Sequence, residues 1–180
     1  MKPSRDPDEN CYPFLCEAGP LCDFEVATDE LCGHIGAAVS LLAEPGMDDI
    51  RADLELIQPL AFHANGSLRG RLAVSGDDIA WLKGRLAHWR AQPGGRVAHF
   101  VLPRGGMPVP FLHLGRSACK KAVRALVKVQ AGGREVPEVV PRLLNVLCNL
   151  LFALTLVINR RRGQDEVPFV SLSYGRPAGS

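Results

Sequence analysis

The stretch LLNVLCNLLFALTLVI, residues 143–158, is almost wholly apolar and constrains the fold more than any other part of the sequence. A membrane-spanning helix needs about 20 consecutive apolar residues. This stretch is shorter, and it contains Asn145 and Asn149. It is therefore predicted to be a buried helix and not a membrane span. A hydrophobic content of 47% suits one soluble domain with a real core.

Four further segments carry apolar residues at helical spacing and are separated by proline and glycine. The first is predicted to begin after Thr28 as a helix cap and to stop at Pro45. The third opens with Ser75 and Asp78 at capping-box spacing. The five predicted helices are residues 29–43, the segment DDIRADLELIQPLAFHANG with a kink at Pro59, the segment SGDDIAWLKGRLAHWRAQ, and residues 111–131 and 138–160.

No strand pattern separates these segments, so the sequence predicts an all-α fold, a five-helix up-and-down bundle joined by short loops. Residues 26–162 form the predicted bundle domain. Residues 1–25 contain four prolines and no sustained period, and they are predicted to be an irregular Cys/Pro-rich N-terminal arm. Residues 163–180 are the predicted C-terminal tail.

Charge narrows the classes of partner. A formal net charge of only +2 is too small for affinity built on phosphate contacts along a duplex, so no nucleic-acid partner is expected. The N-terminal sequence MKPSRDPDEN is charged and lacks the apolar run of a signal peptide. A cytoplasmic protein without membrane attachment is predicted.

The six cysteines are expected to be free thiols or metal ligands in a reducing cytoplasm. Cys11, Cys16, Cys22 and Cys32 lie close together in sequence, but none forms the C-x-x-C pair typical of zinc sites. The simpler interpretation is that they are small apolar residues, and metal binding by these four is the alternative.

The fourth predicted helix has one strongly cationic side. Steps of three and four residues return to the same face of a helix. This face carries His113, Arg116, Ser117, Lys120, Arg124 and Lys128. Such a run is usually a solvated surface. Here it begins directly after a Pro/Gly stretch, where a helix N-terminus also attracts anions, so an anionic ligand is the second interpretation.

The fifth predicted helix places Asn145, Asn149, Phe152 and Asn159 on one face by the same spacing. Buried amides need hydrogen-bond partners, which other helices or a polar ligand would supply.

At the start of the first helix, Asp29 is expected to interact favourably with the helix dipole. The sequence contains no Walker loop, G-x-G-x-x-G motif or Ser/His/Asp arrangement, so ordinary kinases and hydrolases lack support.

The stretch HFVLPRGGMPVPFLHLGR, residues 99–116, places a lone aromatic, Phe100, before prolines and glycines that cannot be helical. With this stretch included, the order of segments along the chain resembles that of the PduO-type ATP:cob(I)alamin adenosyltransferases. TDELCGHIG is similar to the family's VDELNSxIG, LELIQPLAFHANGSL to LxxIQxxLFxLGxxL, FVLPRGG to FVLPGG, LHLGRSACKKAVR to LHxARTxCRRAER, and LLNVLCNLLFAL to YLNRLSDLLFVL. Five segments in the same order, over about residues 26–159, are more specific than any one of them.

The resemblance implies a five-helix bundle that assembles as a trimer, with active sites between subunits. It implies transfer of the 5'-deoxyadenosyl group of ATP, bound with Mg²⁺, to the cobalt of cob(I)alamin, with release of triphosphate. Phe100 matches the family aromatic at the lower face of the corrin. An apolar ring there keeps water or benzimidazole off the cobalt.

The resemblance also implies roles for individual residues. Asp29 and Arg116 match a pair that forms a salt bridge across the subunit interface near the corrin, and with Phe100 they are the predicted catalytic residues. The residues predicted to bind the corrin or the nucleotide are His113, Lys120, Lys121, Arg124, Asn145, Asn149 and Phe152.

The chain departs from the family mainly on the nucleotide side. The glycine-rich TGDxGxT segment that wraps the triphosphate has no counterpart in the arm CYPFLCEAGPLCDFEVA. Without those backbone amides, several charge-assisted hydrogen bonds of about 1.5–3 kcal/mol each are lost. The family's motif Glu, Arg, Asp and Asn are replaced by Val123, Val146, Asn149 and Cys32. The alternative function is therefore a non-catalytic protein that binds, delivers or senses a corrinoid or another tetrapyrrole, with a cobalamin-dependent enzyme as recipient.

Overall fold

Five α-helices form the fold in a computed structural model that describes residues 2–173 of the chain. They are α1 (Pro20–Leu41), α2 (Asp48–Gly66), α3 (Gly76–Ala91), α4 (Val109–Ala131) and α5 (Val139–Arg161). A short 3-10 turn, Pro7–Glu9, precedes them. The predicted all-α, five-helix class is confirmed, and α2 to α5 begin and end within two residues of the predicted bounds.

The start of the first helix was predicted wrongly. α1 begins at Pro20, directly after Gly19, and not at residue 29. Thr28 is therefore not a cap: it is buried in the middle of α1, and its hydroxyl donates to the carbonyl of Phe24 at 2.9 Å. Proline is well suited to the first turn of a helix, because its missing N–H has no partner there in any case. The boundary predicted between residues 25 and 26 falls inside α1, and the irregular arm ends at Gly19.

The helices pack in the order α2, α1, α4, α5, α3, so α1, α4 and α5 form the middle of the bundle. α5 is long and apolar enough to span a membrane by length and composition. It packs instead against α3 and α4, and thirteen of its residues are buried. A helix that is apolar on nearly all sides is typically buried in this way. The prediction of an interior helix is confirmed.

α3 is fixed at its start and joined to α2 through side chains. Ser75 and Asp78 form the predicted capping box. Asp53 of α2 is buried and accepts hydrogen bonds from Nε of Arg85 at 2.7 Å and from the indole N–H of Trp89 at 2.6 Å. A buried carboxylate needs such donors, because an unpaired one is costly to remove from water.

The N-terminal arm is anchored to the bundle by a buried carboxylate. Glu25 of α1 is only 4% exposed and accepts a hydrogen bond from Nε of Arg69 at 2.5 Å. The hydroxyl of Tyr12 donates to the same carboxylate. Burial, together with this hydrogen bond to Glu25, raises the pKa of Tyr12 to about 12. The Arg69 guanidinium also lies 3.8 Å from the ring centroid of Phe14 and 2.7 Å from a carboxylate oxygen of Glu17. Before Gly19 the described residues of the arm contain only the 3-10 turn, and these contacts hold the arm against the bundle.

Candidate active site

Phe100 lies in the loop between α3 and α4, and its side chain is 75% exposed. The main chain is held at Phe100 and just after it, since the Phe100 carbonyl accepts from the N–H of Phe169 and the N–H of Leu102 donates to the Val167 carbonyl, both at 2.8 Å. Phe169 and Val170, in the paired segment, are also exposed apolar residues. The loop therefore presents an apolar surface to solvent on a fixed backbone.

Three predicted site residues come together where α4 meets α5. The guanidinium of Arg116 lies 4.1 Å from the ring centroid of Phe152. One of its terminal nitrogens is 2.9 Å from Nδ1 of His113, one turn earlier on α4. The rings of His113 and Phe152 are 6.5 Å apart. Since an arginine has only donors, His113 accepts through Nδ1, which requires the tautomer protonated on Nε2.

The cluster of His113, Arg116 and Phe152 carries one positive charge, on Arg116, and contains no carboxylate. Burial, together with the neighbouring charge of Arg116, lowers the pKa of His113 to about 4, so the imidazole is neutral at physiological pH. Burial likewise lowers the pKa of Arg116. Nε of Arg116 and Nε2 of His113 are buried and have no hydrogen-bond partner within residues 2–173. Asp29 is exposed on α1, and it forms no ion pair with Arg116 inside the described protomer.

The cationic face of α4 forms one wall of a large cleft. Lys121, Arg124 and Lys128 line a space of about 950 Å³ between α4, the start of α1 and the end of the arm. Lys121 is already paired, since its Nζ lies 2.9 Å from a carboxylate oxygen of Glu30. The hydrogen bond from Lys121 lowers the pKa of Glu30. Among the described residues, Arg124 and Lys128 have no ion-pair partner and remain available to an anion.

The cleft also contains carboxylates, and it omits one predicted residue. Glu17 and Asp23 stand with Glu30 among its lining residues. Lys120 is exposed on α4 but does not line the cleft. The cleft is therefore lined by three cations and three carboxylates. The spacing of charges on α4 does not predict this mixture, because two of the carboxylates lie on the arm and at the start of α1.

The polar face of α5 is divided between solvent and the interior. Asn145 and Asn149 are exposed, so their predicted burial is wrong. Asn149 and Phe152 line a smaller cavity of about 260 Å³ together with Arg90 and Arg96. Asn159 is buried as expected, and its side-chain amide donates to the Arg104 carbonyl at 3.0 Å.

The N-terminal cysteines are free and are not gathered into a metal site in the part of the chain that the structure describes. Burial raises the pKa of the Cys22 and Cys32 thiols. The thiol of Cys22 donates to the carbonyl of Phe14 at 2.9 Å. Within residues 2–173, no group of three or more His, Cys, Asp or Glu side chains is arranged to hold a metal ion, and that includes Cys11 and Cys16.

Sequence reasoning missed the groups that support the site. The spacing places Asn159 on the α5 face, but its partner Glu166, at 2.9 Å from the amide nitrogen, falls in the predicted C-terminal tail, for which no contact was predicted. The pairing of Glu30 with Lys121 was also missed, although the two residues lie in the matched family segments. Glu166 lies beyond the end of α5, where helical spacing no longer applies, and Glu30 and Lys121 lie 91 residues apart, so neither contact leaves a signal in the spacing of the sequence.

Comparison with known proteins identifies the family. The family described as cobalamin adenosyltransferase matches residues 20–158. A cobalamin adenosyltransferase from Cupriavidus metallidurans is 40% identical over 143 residues, which cover 77% of this chain and 74% of the relative. A corrinoid adenosyltransferase from Bacillus subtilis is 31% identical over 147 residues, which cover 78% and 75%.

A solved structure supports the fold. A single-residue variant of a PduO-type ATP:corrinoid adenosyltransferase from Lactobacillus reuteri, complexed with cobalamin and ATP, superposes with a TM-score of 0.74. It is 22% identical and covers 83% of each chain. The family, the fold class and the enzyme class predicted from the sequence are confirmed by these matches. The chain belongs to the cobalamin adenosyltransferase family.

Proposed function

We propose that this protein is an ATP:corrinoid adenosyltransferase that transfers the 5'-deoxyadenosyl group of ATP to the cobalt of cob(I)alamin. The observation that carries the proposal is Phe100, an aromatic ring 75% exposed on a backbone fixed by hydrogen bonds. Exposed apolar surface of this kind is typical of a binding site. A flat hydrophobic cofactor offers it a partner of matching shape.

In the proposed reaction the electron pair of Co(I) forms a bond to C5' of the ribose. The C5'–O bond breaks, and its electron pair leaves with triphosphate. Phe100 keeps water or the benzimidazole base off the lower face of the corrin, which makes Co(II) easier to reduce to the nucleophilic Co(I) under the reducing conditions of the reaction. The ring needs no charge for this task, only a fixed position and a lack of donors.

The cleft beside α4 is the proposed site of the triphosphate. Arg124 and Lys128 have no ion-pair partner among the described side chains and face a space of about 950 Å³. Cations in a partly enclosed cleft attract polyanions more strongly than cations on an open surface do. Mg²⁺ enters with the nucleotide, since it keeps several waters and phosphate oxygens and does not need a protein cage.

The proposed assembly is a homotrimer with the active site between subunits. Arg116 is half-buried, its Nε has no partner within the described protomer, and Asp29 is exposed on α1. A buried charge without a counter-ion is strongly unfavourable. Asp29 of a second copy would supply that counter-ion, as the sequence resemblance implies. Sedimentation equilibrium tests this: a trimeric mass is expected, and a stable monomer at assay concentrations contradicts it.

A second function is favoured by the mixed charge of the cleft. Glu17, Asp23 and Glu30 stand among the cations, and no glycine-rich loop wraps a triphosphate. Carboxylates beside a nucleotide polyanion oppose its binding. The alternative is a protein that binds a corrinoid and delivers it, without catalysis, to a cobalamin-dependent enzyme in the cytoplasm.

Calorimetric titration with MgATP and, separately, with cobalamin distinguishes the two functions. Binding of both, followed by formation of adenosylcobalamin under reducing conditions, is the result expected for the enzyme. Cobalamin binding with no detectable MgATP binding rejects the enzyme and favours the delivery protein. A titration with triphosphate alone then shows whether the cations of the cleft contribute to nucleotide affinity.

A further inference from the structure

The segment after α5 returns to the loop that carries Phe100 and pairs with it. Val101 and Pro168 form an isolated antiparallel bridge. The N–H of Leu102 donates to the Val167 carbonyl at 2.8 Å, and the N–H of Phe169 donates to the Phe100 carbonyl at 2.8 Å. These two hydrogen bonds hold the main chain at Phe100 and just after it. Residues 163–170 are called the strap below.

Side chains fix the strap to the rest of the loop. The amide of Asn159, at the end of α5, donates both to the Arg104 carbonyl at 3.0 Å and to Glu166 at 2.9 Å. The N–H of Gly106 donates to the side-chain oxygen of Gln164 at 3.3 Å. Asn159 is 2% exposed. One buried amide therefore joins the loop, the strap and the last turn of α5.

The loop is shaped to fit this arrangement. Gly105 has a φ of +154°, and a Cβ at this position would lie 2.4 Å from the side-chain oxygen of Asn159. Only glycine allows the loop main chain to pass so close to the amide. The close approach shows that the loop and Asn159 are packed as one unit, which the strap completes on the open side.

We propose that the strap is a positioning element for Phe100, acting through the N–H of Phe169 and the carboxylate of Glu166. The inference rests on the proposed function, in which Phe100 occupies the lower face of the corrin. A ring that excludes a competing ligand should be held in place before the corrin binds, because ordering a mobile ring on binding would cost conformational entropy. Two main-chain hydrogen bonds and the Asn159 junction supply that restraint.

The first experiment removes one main-chain donor. Phe169→Pro abolishes the N–H that donates to the Phe100 carbonyl, whereas Phe169→Ala removes only the ring and Val170→Pro places a proline one residue later. Hydrogen exchange of the Leu102 amide, measured without substrates, should accelerate in Phe169→Pro and remain near wild type in both controls. Equal exchange in Phe169→Pro and wild type overturns the proposal.

The second experiment measures how many ligands the bound cobalt has. Cob(II)alamin is bound to the protein together with MgATP. The four-coordinate form, which has lost its lower ligand, is then distinguished from the five-coordinate form by absorption and electron paramagnetic resonance. Phe169→Pro should lower the four-coordinate fraction and reduce kcat by about 10- to 100-fold, with KM for MgATP changed less than about twofold. Faster exchange at Leu102 with a wild-type four-coordinate fraction overturns the positioning role.

Glu166 provides an independent pair of variants should Phe169→Pro not fold. Glu166→Ala removes the oxygen that accepts from Asn159, and Glu166→Gln keeps an acceptor there. Loss of the four-coordinate fraction in Glu166→Ala and its recovery in Glu166→Gln support the proposal, and equal behaviour of the two overturns it. If wild-type protein forms no four-coordinate cob(II)alamin and no adenosylcobalamin, the proposed function has failed and the role of the strap fails with it, whatever Leu102 exchange shows.

Discussion

The guanidinium of Arg116 lies 4.1 Å from the centroid of the Phe152 ring, so a charged group of α4 is stacked on an aromatic of α5. Both residues are only partly exposed. Stacking leaves the edge of the guanidinium free to donate, and one edge nitrogen is used by His113 at 2.9 Å. Nε of the same guanidinium is buried and has no hydrogen-bond partner among the described residues.

Replacing Arg116 by lysine should weaken cobalamin binding although the charge is kept. An ammonium cannot stack on Phe152 and donate to His113 in the same fixed plane. A cation–π contact in a partly buried place is worth about 1–2 kcal/mol, so the Kd for cobalamin should rise by about 5- to 30-fold. An absorption titration measures it. Arg142→Lys, at an exposed position on α5, is the control, and wild-type affinity in Arg116→Lys would contradict the assigned role.

Phe100→Ala should abolish most of the activity with little effect on stability. The ring is 75% exposed, and substitutions at such sites usually change the free energy of unfolding by less than about 0.5 kcal/mol. We expect kcat to fall by at least about tenfold, because water regains access to the cobalt. Adenosylation under reducing conditions and a thermal melt are the two measurements. Unchanged kcat removes Phe100 from the mechanism.

Neutralising the free cations of the cleft should affect the nucleotide and not the corrin. Arg124→Ala and Lys128→Ala each remove one charge that faces the cleft. A charge-assisted contact to phosphate is worth about 1.5–3 kcal/mol, so the KM for MgATP should rise by about 10- to 100-fold. Lys83→Ala, on the exposed side of α3, is the matched control. An unchanged KM in both variants would place the triphosphate elsewhere.

The parts of the fold that depend on neighbouring residues could be predicted from the sequence. Ser75 and Asp78 fix the start of α3 through a capping box, and the apolar run of α5 requires burial. The predicted start of α1 was wrong because Thr28 followed by acidic residues has the composition of a helix N-terminus. The helix begins instead at Pro20, directly after Gly19. Two local signals competed, and only the packing of Phe24 against the core decides between them.

The candidate site was predictable where helical spacing or a motif defined it, and not where the chain folds back after a helix ends. Residues one turn apart on a helix, such as His113 and Arg116, were placed together by spacing alone. The burial of Asn145 and Asn149 was overestimated, because an apolar helix still turns one side to solvent at the edge of a cavity. Glu166 is joined to Asn159 by the return of the chain after α5, which no periodicity encodes.

His113 should make stability depend on pH between about 4 and 6.5. Burial beside Arg116 lowers its pKa to about 4 in the folded protein, from an ordinary value of 6.5. As the pH falls through this range, the unfolded chain takes up a proton that the folded chain does not, so the free energy of unfolding decreases. Above pH 6.5 this contribution is complete. Denaturant unfolding of wild type and His113→Asn at several pH values isolates it, and the difference between them should shrink as the pH falls. Parallel curves for the two proteins would contradict the lowered pKa.

Removing Arg69 should destabilise the protein and loosen the arm that bounds the cleft. Glu25 is 4% exposed, and Arg69→Ala leaves its carboxylate buried without a positive partner. Breaking a buried ion pair on one side costs about 3 kcal/mol, which lowers Tm by roughly 6–12 °C in a chain of this size. The double variant Glu25→Gln with Arg69→Ala should recover part of the loss, because a neutral amide is less costly to bury than a carboxylate. A thermal melt of the three proteins measures the effect. If the double variant is no more stable than Arg69→Ala alone, the loss comes from the contact of Arg69 with Phe14 and not from the unpaired charge.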